Sequence, residues 1–169
     1  SLTLKSLFTE GKLIVLVRDL RNVLGSIEKN HRINPLLDDS LNPINKTVFQ
    51  RCSDLCSVDG MVGSSILGIE DCIRKNLGNC IFLKYTNFVK APEAIISGLY
   101  KAMNLSPFEH NFENIVNVAS DVDGLYLNKF PHEGSGSIKA SETDEWKQYI
   151  SKDISREIMN KFTFYNNFF

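Results

Sequence analysis

Apolar and polar positions along this chain change period sharply at Arg18 and Asp19. Leu13, Ile14, Val15, Leu16 and Val17 form an unbroken apolar run. Beyond the Arg-Asp pair the apolar positions are spaced as Leu20, Val23, Leu24 and Ile27. A short, largely β-branched apolar run predicts a strand buried on both faces, and the 3–4 spacing after it predicts a helix over 20–30. Arg18 is then expected at the carboxyl end of a parallel strand, where open α/β sheets bind ligands. Ser26 follows eight residues later, about two helical turns along. A guanidinium at a strand tip, with a hydroxyl on the next helix, suits a phosphate dianion. The forked donors carry charge and the hydroxyl adds a neutral one.

The same pattern predicts the remaining elements. Residues 1–11 read as a short helical lead ending at Gly11. Two Pro and many Asn, Asp and Ser make the first half of 31–60 a loop. Residues 47–55 predict a helix with Val48, Cys52 and Leu55 on one side. Residues 61–77 predict a longer one on Val62, Ile66, Ile69, Ile73 and Leu77. The run CIFLK at 80–84 predicts a second buried strand. Residues 92–103 predict a helix with Pro92 in its first turn and Ile95, Ile96, Leu99, Tyr100 and Met103 on one face. Residues 104–140 lack periodicity, and two short helices, about 142–150 and 152–162, close the chain. Trp146, Phe162 and Tyr165 are candidate core residues. Strand–helix alternation implies an α/β fold with a parallel sheet flanked by helices on both faces.

Composition changes this picture little. A length of 169 residues suits one domain, here 1–169, that buries a real core. A net charge of −1 gives no global attraction for nucleic acid or an anionic membrane, so any anion site must be local. No apolar stretch approaches the ~20 residues of a membrane span, no signal-peptide pattern opens the chain, and a cytoplasmic location is expected. Cys52, Cys56, Cys72 and Cys80 lack a paired zinc spacing and read as reduced structural thiols, so no metal is expected. Asp121, Asp123 and Gly124 resemble part of a calcium loop, but its ligand set fails. His31, His110 and His132 are scattered, with His110 either meeting substrate or capping a helix.

The segment VRDLRNVLGSI, with Arg18 and Ser26 eight residues apart, resembles the 3′-phosphate-binding segment of sulfotransferases that use 3′-phosphoadenosine 5′-phosphosulfate (PAPS). It is similar to the V-R-D-P-R-D-V-L-x-S form of bacterial and viral members, with Leu20 where Pro is usual. Residues 80–105, CIFLKYTNFVKAPEAIISGLYKAMNL, are similar to the family's strand–Tyr–helix element, whose Tyr lies against the adenine. In HEGSGSIKASETDEW, residues 132–146, Gly134 and Gly136 free the backbone for positive φ, and successive amides can form an anion-holding nest. Lys139 stands seven positions before Trp146, the family's spacing for the basic residue of a loop that closes over the 3′-phosphate. Ala140 and Ser141 replace the second cation of the common form.

The resemblance implies a three-layer, P-loop-kinase-like sulfotransferase fold, of which this chain matches the C-terminal two-thirds. No P-K-[ST]-G-T-T-like phosphosulfate loop and no upstream His or Glu base has a matching position. It also implies transfer of a sulfuryl group from PAPS to a hydroxyl or amine on a small-molecule or carbohydrate acceptor, without metal. Arg18 and Ser26 would hold the 3′-phosphate, Tyr85 the adenine, and Lys139 would cover the site. The alternative is a non-catalytic nucleotide-binding or interaction domain that keeps the fold. A nucleotide kinase would need a G-x-x-x-x-G-K-[ST] loop, which is lacking.

Overall fold

The computed structural model describes residues 11–33, 46–75, 78–117, 135–138 and 144–169. Strand β1 (Leu13–Val17) leads into α1 (Leu20–Ile33), then α2 (Val48–Leu55) and α3 (Met61–Arg74). Strand β2 (Cys80–Lys84), α4 (Tyr85–Lys90) and α5 (Pro92–Met103) follow. The chain ends in a 3-10 turn (Glu145–Gln148), α6 (Lys152–Lys161) and a second 3-10 segment (Thr163–Phe168). The fold is therefore mixed α/β, mostly helical among the described residues. The expected lead helix over 1–11 lies outside them.

Strands β1 and β2 pair in parallel, with Leu13 opposite Cys80 and Val17 opposite Lys84. Val17 is fully buried, and Val15 and Phe82 pack against the same core. The expectation of a strand buried on both faces needs correction. Ile14 and Leu16, on the alternate face, are 42% and 51% exposed. An apolar run does not say which of its two faces a layer covers; only the face of Val15 and Val17 meets the core formed with Leu20, Leu24, Cys52, Leu55, Ile66, Ile158 and Tyr165.

Helix boundaries follow local chemistry. Asp19 caps α1, its Oδ1 accepting from the Arg21 amide at 2.9 Å. Thr47 caps α2 in a capping box with Gln50. Helix α3 stops at Arg74, short of the expected 77, and buries Cys72 while Ile73 stands exposed. Helix α5 has the predicted bounds and buries Leu99. Within the expected helix at 142–150, the described residues form a single 3-10 turn, Glu145–Gln148, where Trp146 is held close against α1. A Cβ on Gly25 would lie 2.9 Å from the Trp146 Cα and 3.0 Å from its Cβ, so only glycine permits this approach. Gly136 takes the expected positive φ, 93°, where its backbone bridges to Ile115.

No cysteine is in a disulfide among the described residues. Burial pushes the Cys52 thiol up to about 12 and the Cys56 thiol up to about 11. Both are therefore packing residues rather than nucleophiles at neutral pH. No helix among the described residues is long and apolar enough to cross a membrane.

Candidate functional site

Parallel pairing determines what meets what at the carboxyl edge of the sheet. Because Val17 lies opposite Lys84, the next residues, Arg18 and Tyr85, emerge side by side. The Arg18 guanidinium carbon sits 4.6 Å from the Tyr85 ring centroid, a cation–π arrangement. Two residues that the sequence placed at separate strand tips thus form one feature.

Arg18 is half-buried and forms no ion pair among the described residues. The nearest carboxylate in sequence, Asp19, is already engaged. It pairs with the Arg21 guanidinium through Nε at 2.9 Å and through Nη2. That hydrogen bond raises the Arg21 pKa. Arg21 in turn lies over the Trp146 ring, 5.1 Å from its centroid. The neighbouring acid is thereby occupied by Arg21. The Arg18 Nε is buried and has no hydrogen-bond partner among the described residues. A buried charged donor without an acceptor is costly and calls for an anion.

The backbone of Arg18 is fixed by a residue that sequence reasoning assigned only to the core. The Tyr165 hydroxyl donates to the Arg18 carbonyl at 3.0 Å and accepts from the Arg18 amide at 3.2 Å. Burial raises the Tyr165 pKa, outweighing that hydrogen bond. Its position 147 residues away left no local signal for the contact. Tyr165→Phe removes both bonds at a part-buried site and is expected to lower stability by about 1–2 kcal/mol. Urea unfolding checks this; an unchanged midpoint would mean water replaces the phenol at no cost.

Ser26 lies exposed on α1, and its hydroxyl has no hydrogen-bond partner among the described residues. No hydrogen bond joins it to Arg18. It follows Gly25, which the Trp146 backbone approaches. Glu145 reinforces that docking through a 2.8 Å bond from Lys29 Nζ. Arg32 adds a 3.0 Å bond to the Tyr149 carbonyl. Glu145, Trp146 and Tyr149 are therefore anchored along α1, at Lys29, Gly25 and Arg32. Lys139 itself lies outside the described residues, as does His132. No group of three or more His, Cys, Asp or Glu side chains that could hold a metal ion is present among the described residues.

Comparison of the chain with protein-family models, with curated proteins and with solved structures gives no match.

Proposed function

We propose that this chain binds the nucleotide of PAPS and belongs to a sulfotransferase that moves its sulfuryl group to a hydroxyl or amine acceptor. The carrying observation is the Arg18 guanidinium at the carboxyl edge of a parallel pair, stacked on Tyr85, with a buried Nε that has no hydrogen-bond partner among the described residues. A forked cation of this kind suits the 3′-phosphate, and the aromatic face beside it suits the purine. Ser26 would add its exposed hydroxyl from α1, and Lys139, seven positions before Trp146 in sequence, would cover the site. On this reading β1 and β2 belong to the sheet of a three-layer fold, and the exposed Ile14 and Leu16 mark a face that a further layer would cover. Sulfuryl transfer then needs in-line approach of the acceptor and electrostatic support for the departing nucleotide.

Calorimetry with adenosine 3′,5′-bisphosphate tests the donor site. Arg18→Ala should weaken binding by at least ~1.5–3 kcal/mol, the scale for losing a charged hydrogen-bond partner. Arg18→Lys should fall in between, since it keeps the charge and loses the fork. No binding by the unaltered protein, or equal affinity in a folded Arg18→Ala variant, overturns the reading. A second reading is nucleotide binding without turnover. Binding with no sulfate transfer to any acceptor supports it.

A further inference from the structure

The donor site leaves one surface feature unexplained, at the start of α5 and the segment after it. Four rings form a contiguous aromatic wall there. His110 lies 5.8 Å from Tyr100 in near-parallel planes, 4.9 Å from Phe108 edge-on and 5.6 Å from Phe112, centroid to centroid. A 2.8 Å hydrogen bond between the Tyr100 hydroxyl and His110 Nε2 ties the wall to α5. Phe108 nevertheless stays 69% exposed. An exposed ring in a cluster is a recognition feature more often than a lone surface aromatic is.

This wall borders an open cleft of about 500 Å³ lined by Glu93, Glu109, His110, Asn111, Phe112 and Glu113. Among the described residues the lining contains three carboxylates and no Lys or Arg. None of the three glutamates takes part in an ion pair among the described residues. Asn111 Oδ1 accepts from the amides of Glu113 and Asn114 at 3.1 and 3.0 Å, which holds the turn that carries Glu113. No group of carboxylates converges closely enough to cage a metal ion among the described residues. Dispersed negative charge beside π faces favours a larger, weakly hydrated cation over a compact hydrated one.

We propose that this cleft binds an alkylated ammonium group of a small molecule. The ammonium lies against the Phe112 and His110 rings, Phe108 supports the His110 ring edge-on, and Glu93, Glu109 and Glu113 supply the counter-charge. The proposal goes beyond the donor site and stands whether or not the chain transfers sulfate.

Amide chemical-shift titration of the protein with choline tests it, with 3,3-dimethylbutanol as the uncharged isostere. The expected result is saturable shifts confined to residues around 93 and 108–113, and markedly weaker ones with the alcohol. Phe108→Ala and Glu109→Gln alter exposed side chains and should leave the fold intact. Each should weaken choline binding about two- to fivefold, the scale of one exposed cation–π or screened charge contact. Equal shifts by choline and the alcohol, or no saturable shift, overturn the proposal. So does an unchanged affinity in both variants. Adenosine 3′,5′-bisphosphate, titrated separately, keeps failure here distinct from failure of the donor site.

Discussion

Glu28→Gln is expected to lower the stability of the fold by about 3–5 kcal/mol, because it leaves a buried guanidinium without its counter-ion. Glu28 is 3% exposed and Arg51 10%. The pair is bidentate, with Arg51 Nε donating to Oε2 at 2.9 Å and Nη2 to Oε1 at 2.7 Å. A third contact comes from Arg32 Nε at 3.0 Å, one turn along α1. The Arg51 Nη1 donates to the Lys46 carbonyl. Both Glu28 oxygens and all three Arg51 side-chain nitrogens are thus engaged, and the cluster joins α1 to the start of α2. Glutamine keeps the shape but cannot neutralise Arg51. Chemical denaturation measures the loss, and a change under about 0.5 kcal/mol, the scale of ordinary surface substitutions, would show that water solvates Arg51. Glu28→Leu with Arg51→Met should recover much of the loss, since the pair's mutual attraction mainly offsets its own desolvation.

The same pair determines a pH dependence. Burial pushes the Glu28 carboxyl up, but hydrogen bonds from Arg51 and Arg32 outweigh it and hold its pKa below the ordinary 4.5. A carboxyl with a lower pKa folded than unfolded contributes stability that is fully present above the unfolded value. That contribution is lost as pH falls through the folded value. Stability should therefore decline below about pH 4.5, and Glu28→Gln should flatten this part of the profile.

What the sequence made legible follows the range of each interaction. The break in period at Arg18 and Asp19 is local, and both β1 and α1 form where it predicts. Pro92 and the apolar stripe behind it mark α5 to the residue. Helix α4 and the 3-10 segment Thr163–Phe168 escaped because six residues each are too few to show a period. Glu28 reads on its own as a solvated helix position; its burial depends on Arg51, 23 residues later. The candidate site divides in the same way. Arg18 and Tyr85 were each visible as strand-end residues, but their contact depends on strand register, which no local pattern carries. Ser26 stands eight residues from Arg18, and spacing along a helix does not determine which way a hydroxyl faces.

Trp146→Ala is expected to cost about 3–5 kcal/mol, the range for removing a large buried aromatic. Trp146 is the one tryptophan of the chain and is 6% exposed. Its backbone touches α1 at Gly25, and its ring carries Arg21 on one side and Lys147 at 5.9 Å. Alanine would leave a cavity that the rigid approach at Gly25 prevents from closing, so little relaxation is available. Circular dichroism during urea unfolding measures the loss, since the variant has no tryptophan fluorescence. Trp146 also supports Arg21, which occupies the Asp19 carboxylate. In a variant still folded at low temperature, Arg21 loses its stacking partner and Asp19 becomes free to reach Arg18. Affinity for adenosine 3′,5′-bisphosphate should then drop together with stability. Lost stability with undiminished affinity would show that Asp19 stays with Arg21 without the indole, and that α1 alone orients the strand-tip cation.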